Sequence, residues 1–330
     1  MKQSRIIGTG SYLPPRVVTN DEIGHMLGLA DDEIYDLTGI RSRHWVDPGV
    51  ATSDLAVEAA RRACVAGGMP PDFVEAILVS TTSPDMPFPS TACHVQRALG
   101  LKSIPAFDVA ASCSGFLYGL SMADAMIRGG RFRSILVIAA EIKSRSLDPT
   151  DKETALLFGD GAGAALVVRD ETEGPGAPGI LGIRLYSGGA GHDMIKVPAG
   201  GSRRPTSAET LAGNEHVLRM KGSAVFRAAI RRLENAIIEQ LKEFGFSTQD
   251  LAQVIAHQAN ARILAQLSRR LGLPKQALYT VIERYGNTSS ASLPIALDVA
   301  VRENRLNRGD VVLLGAFGGG LTWATGLMRW

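Results

Sequence analysis

The sequence predicts a layered α/β fold. Three observations point there: short apolar runs alternate with amphipathic stretches of helical length, the alternation occurs twice along the chain, and 330 residues suffice for one large or two medium cores. A loop-favouring stretch, Glu-Gly-Pro-Gly-Ala-Pro-Gly at 173–179, separates the two passes. The halves are therefore expected at 1–172 and 173–330.

In the first half, apolar runs predict strands over 5–8, 76–81, 104–110, 135–140 and 164–168. Thr52-Ser53-Asp54 supplies cap chemistry for a helix over 53–66. A second helix over 114–128 follows from Phe116, Leu120, Ala123 and Ile127, which recur at helical spacing. In the second half, strands are expected over 179–187, 254–256, 311–317 and 325–330, and helices over 222–244, 262–271 and 292–303. Strands separated by helices of this length imply mostly parallel pairing.

Hydrophobic residues make up 45% and charged residues 21%, which is globular composition. Lys plus Arg number 35 against 33 for Asp plus Glu, so the basic excess of a nucleic-acid binder is missing. Cys64, Cys93 and Cys113 form no CxxC pair, and their odd number suits a reducing compartment. The chain enters its first apolar run without a signal-like segment, and no apolar run reaches the ~18 residues of a membrane span. A cytoplasmic protein without membrane insertion is expected.

Cys113 stands in Ala-Ser-Cys-Ser-Gly-Phe, between an expected strand and an expected helix. A helix N-terminus favours the thiolate through its dipole and unpaired N–H groups, so Cys113 is a candidate nucleophile. Taken alone it also reads as a small buried hydrophobe. His257, in His-Gln-Ala-Asn, emerges from the end of a short apolar strand, and Asn287, in Gly-Asn-Thr-Ser-Ser, lies on a polar turn before a helix. Ligands gather at such strand ends, although singly the two residues read as a structural histidine and a turn or cap residue. Phe317-Gly318-Gly319-Gly320 follows another strand, where glycine permits close backbone approach to a ligand or simply a tight turn.

Further motifs are Thr38-Gly39-Ile40-Arg41, Phe88-Pro89-Ser90 and Phe158-Gly159-Asp160-Gly161-Ala162-Gly163. The last has the look of a dinucleotide fingerprint, but an apolar strand follows where that fingerprint needs a helix. In this order, across the whole chain, the motifs resemble those of the β-ketoacyl-acyl carrier protein synthase III family of condensing enzymes. The resemblance implies a thiolase-like fold, two similar α/β halves stacked as α-β-α-β-α. It also implies an acyltransferase of fatty acid synthesis that needs no metal or redox cofactor. Cys113 would take the starter from a short acyl-CoA, with its own N–H and that of Gly319 forming the oxyanion hole. His257 and Asn287 would then hold the thioester oxygen of malonyl-acyl carrier protein during decarboxylation. Phe88 would wall the partner's acyl pocket in a homodimer, and Arg227, Arg262, Arg269 and Arg270 would meet the carrier protein.

The match departs at the coenzyme A clamp. Glu33 stands at the family's tryptophan position, Lys152 at the sandwiching arginine and Leu37 at a second arginine, so Lys152 alone keeps a charge there. Related enzymes of specialised metabolism, loading a different starter or transferring it without decarboxylation, are the alternative. A non-catalytic carrier-binding protein should lack Cys113, His257 or Asn287, and a thiolase should have a second catalytic cysteine. Neither sign is present.

Overall fold

The computed structural model describes residues 3–172, 174 and 176–330. The expected start of the second half, Glu173, lies outside them. Five strands form the first sheet: β1 (Gln3–Tyr12), β2 (Ala76–Ser80), β3 (Ala106–Val109), β4 (Ser134–Glu141) and β5 (Gly161–Asp170). Five more form the second: β6 (Gly179–Ser187), β7 (Gln253–Ala256), β8 (Leu278–Tyr279), β9 (Val311–Gly318) and β10 (Thr322–Arg329). The first has the order β1-β5-β4-β2-β3 and the second β6-β10-β9-β7-β8. Adding five to each label of one sheet gives the other, so the halves share one topology.

Pairing is mixed rather than mostly parallel. In each sheet the strands at one edge are parallel, β4-β2-β3 and β9-β7-β8, and those at the other are antiparallel, β1-β5-β4 and β6-β10-β9. Strands β9 and β10 are joined by Gly319–Leu321 alone, too short for the crossover that a parallel pair requires.

Six helices position the site: α1 (Asp31–Thr38), α2 (Thr52–Ala66), α3 (Gly115–Arg128), α4 (Gly222–Phe244), α5 (Ala261–Leu271) and α6 (Ser292–Arg302). Helix α2 covers the outer face of the first sheet and α4 that of the second. Between the sheets lie α3 and α6. Helix α3 touches β6 as well as its own sheet, and α6 packs on β1 and β5. The central core therefore draws Phe116, Leu120 and Ile127 from one half and Leu293, Ile295 and Leu297 from the other. Covered on both sides, β4, β5 and β9 are buried along nearly their whole length, as their unbroken apolar runs require. Among the described residues no helix is long and apolar enough to cross a membrane.

Candidate active site

The functional side chains leave the carboxyl ends of the parallel strands, where α/β sheets bind ligands. Thr82 follows β2, Cys113 follows β3 and Lys143 follows β4. His257 follows β7, Asn287 comes after β8, and Gly319 follows β9. These residues border one cavity of about 1030 Å³.

Cys113 lies in a single 3₁₀ turn, Ser112–Ser114, that leads directly into α3. The turn is tightly seated. Ser112 has φ 50°, a Cβ on Gly115 would stand 1.9 Å from Ser80 Oγ, and one on Gly318 would stand 2.6 Å from the Cys113 nitrogen. The thiol is buried, 8% exposed. Burial alone would raise its pKa, but the charge and hydrogen bonding of His257, with the Ser289 hydroxyl 3.5 Å away, bring it down from 9.0 to about 7. The structure thus adds the His257 imidazole to the helix terminus legible in the sequence.

His257 is buried at the end of β7, its N–H donating to Gly315 O at 2.7 Å. Its Nδ1 is 2.5 Å from Ser292 Oγ. That oxygen also accepts the Gln258 N–H at 3.1 Å, and with its own proton it can donate to Nδ1. In the neutral ring, Nε2 then carries the proton and serves as a donor. Asn287 is oriented with equal definiteness. Its Oδ1 accepts the Ser289 N–H at 2.9 Å, which leaves Nδ2 as the donor, in a long 3.4 Å contact with Ala259 O. The other polar residues of His-Gln-Ala-Asn build the frame. Gln258 Oε1 accepts from Val281 and Ile282, and Asn260 caps α5 through the Arg262 N–H.

Behind the thiol, Glu141 is fully buried. It accepts from the Thr82 N–H and from the hydroxyls of Thr82, Ser83 and Ser290, its Oε1 shares the Ser289 hydroxyl with the Cys113 sulfur, and it pairs with Lys143 at 3.0 Å. Burial pushes its pKa up, and the lysine charge with these donors outweighs that and holds it below the ordinary carboxylate value. The Gly319 N–H borders the cavity but donates to Ser112 Oγ at 3.2 Å. The Phe158–Gly163 segment opens β5, and Asp160 accepts the N–H groups of Val46, Lys143 and Ser144; it is a brace.

At the mouth, Leu37, Lys152, Arg227 and Arg262 line the cavity, whereas Glu33 on the same helix as Leu37 does not. Arg269 and Arg270 lie at the far end of α5, away from it, and Arg270 is paired with Glu234 on α4 at 2.6 Å. Phe88 is 86% exposed and does not line its own chain's cavity. Sequence reasoning missed Glu141, Lys143, Ser112, Ser289 and Ser292. A charge closing the apolar run of β4 was the available signal for Glu141, whereas nothing local sets the serines apart.

A profile described as 3-oxoacyl-[acyl-carrier-protein (ACP)] synthase III matches residues 107–189, and that of its C-terminal part matches 241–330. The chain is 45% identical over 325 residues to β-ketoacyl-[acyl-carrier-protein] synthase III of Caldanaerobacter subterraneus subsp. tengcongensis, covering 98% of this chain and 97% of that protein. It belongs to the β-ketoacyl-acyl carrier protein synthase III family. With membership comes the class of acyltransferase-type condensing enzyme and the thiolase-like layering seen above. An Erythrobacter litoralis enzyme of the same name is 45% identical over the full length of both chains. The crystal structure of 3-oxoacyl-[acyl-carrier-protein] synthase III from Aquifex aeolicus superimposes with a TM-score of 0.91 at 38% identity, covering 99% of this chain and 100% of that one. The priming β-ketosynthase of the R1128 polyketide pathway is similar too, with a TM-score of 0.91 at 33% identity over 99% and 96% of the two chains.

Proposed function

We propose that this family member condenses a starter acyl thioester, delivered on coenzyme A, with malonyl-acyl carrier protein. The thiolate of Cys113 attacks the starter carbonyl, a carbon–sulfur bond forms, the carbonyl's bond to the coenzyme A sulfur breaks, and that thiolate leaves, taking up the proton that the Cys113 thiol gave up on ionising. Malonyl decarboxylation then breaks the bond to CO2. Its electron pair passes to the thioester oxygen, stabilised by His257 Nε2–H and Asn287 Nδ2–H. The carbanion carbon attacks acyl-Cys113, a carbon–carbon bond forms, and the cysteine thiolate is released with the β-ketoacyl product on the carrier protein.

The observation that carries this reading is the convergence of a thiol held near pKa 7 with two side chains whose hydrogen bonds turn their donors toward one cavity. Arg227, Arg262 and Lys152 at the mouth support docking of an acidic carrier protein and of phosphates. A homodimer in which Phe88 reaches the partner's cavity accords with that side chain's exposure. A different starter, as in specialised metabolism, is the second reading, favoured by Glu33, Leu37 and Lys152 at the clamp positions. Intact-mass measurement after exposure to acetyl-CoA, then to malonyl-acyl carrier protein, tests the scheme. An acyl adduct on wild type, absent from Cys113→Ser and discharged as β-ketoacyl product, is expected; loading of Cys113→Ser as a thioester would overturn it.

A further inference from the structure

Beyond Cys113, the cavity runs along the 82–85 loop and the segment after β4, bordered by Thr52, Thr82, Ser83, Lys143 and Arg145. A hydrocarbon starter needs an apolar wall there. Pro84 and Ile142 supply part of one, but Lys143, only 7% exposed, sets a buried ammonium beside them.

Glu141 does not require this lysine for its hydrogen bonds, because one backbone N–H and several hydroxyls already serve both its oxygens. A buried ion pair is also a poor stability device, since apolar residues of like volume often do as well or better. Lys143 Nζ spends two donors, one on Glu141 at 3.0 Å and one on Thr82 Oγ1 at 2.6 Å, and keeps a third. Arg145 at the same wall donates one N–H to Asp47 O and keeps the rest. Nearby Asp85 is occupied by Ser53, accepting its N–H at 2.8 Å and its hydroxyl at 2.6 Å in the first turn of α2, where the helix dipole favours an anion. The uncommitted capacity is therefore cationic and donor-rich.

We propose that this end of the cavity is a subsite for a starter acyl group that ends in a carboxylate, with Lys143 and Arg145 as its partners. The enzyme thus loads the monothioester of a dicarboxylic acid. The inference rests on the condensing reading above and names its substrate class.

The test is the rate at which full-length protein forms the Cys113 adduct, followed by intact mass, with succinyl-, glutaryl- and adipyl-CoA against butyryl-, pentanoyl- and hexanoyl-CoA. At least one dicarboxylic thioester should load tenfold faster than its length-matched partner. Lys143→Met, and Arg145→Met separately, should lower that ratio tenfold. Because Lys143→Met strands Glu141, the double variant Lys143→Met with Glu141→Gln removes both charges and should lower the ratio equally. Faster loading of the unsubstituted chains by wild type, or a ratio that survives in all three variants, overturns the subsite and leaves the condensing reading standing. If no thioester loads while the thiol still alkylates, both fall together.

Discussion

Replacing His257 with alanine should have a different effect on each half-reaction, and its size can be worked from the thiol. With a pKa of about 7, half of Cys113 is thiolate at pH 7. Without the imidazole, burial is the largest remaining influence and drives the group to 9.0 or above. The thiolate fraction at pH 7 then falls about 50-fold or more. The rate of alkylation falls much less, because a more basic thiolate is more nucleophilic. With a Brønsted slope of ~0.4–0.5 over two pKa units, the loss of rate is about sixfold. The pH midpoint is therefore the decisive quantity. Iodoacetamide inactivation from pH 5 to 10 should move its midpoint from near 7 to 9 or beyond, with full reactivity restored at high pH. Starter loading by His257→Ala should slow at pH 7 and recover likewise, whereas malonyl decarboxylation should be lost at every pH, since its oxyanion has lost a donor. A midpoint that stays near 7 would mean that the helix terminus and Ser289 alone hold the thiolate, and the account of His257 would be wrong.

Ser292→Ala frees Nδ1 and should slow decarboxylation by about 2- to 12-fold, the worth of one neutral hydrogen bond of ~0.5–1.5 kcal/mol, with Cys113 loading affected less; equal slowing of both steps would deny it a role in fixing the tautomer. Gly318→Ala drives a Cβ to within 2.6 Å of the Cys113 nitrogen, so the nucleophile must shift. A loss of about 100-fold in acyl-enzyme formation is expected with the melting cooperative, and near-normal loading would contradict the close fit. Phe88→Asp, at a position exposed in the single chain, should yield monomers in sedimentation, and an intact dimer with normal loading would remove Phe88 from the interface.

Local signals carried much of this molecule. The periodicity of Phe116, Leu120, Ala123 and Ile127 matches a helix whose four residues are all buried, and 179–187 and 222–244 were legible to the residue. Pairing direction was not, because strand length and apolar content are alike for both. Nor was the Glu141 network, whose partners Ser289 and Ser290 are more than 140 residues away and meet it only after the two sheets close on α3 and α6. The repeated topology explains why they meet. Ser112 and Ser289 stand at equivalent places, each opening a 3₁₀ turn before a central helix, with φ of 50° and 52°. Cys113 in the first turn therefore corresponds to Ser290 in the second, and Thr81, directly after β2, to His257, directly after β7. One scaffold has been given different side chains at matching strand ends. In the first half they are a nucleophile and a charged pocket wall, suited to holding the starter; in the second they are neutral donors, suited to the enolate. Because the two turns pack directly against each other at the edge of the cavity, with Cys113 and Ser289 in contact, a carbon–carbon bond between the two substrates forms where the halves meet, and neither half holds the chemistry alone.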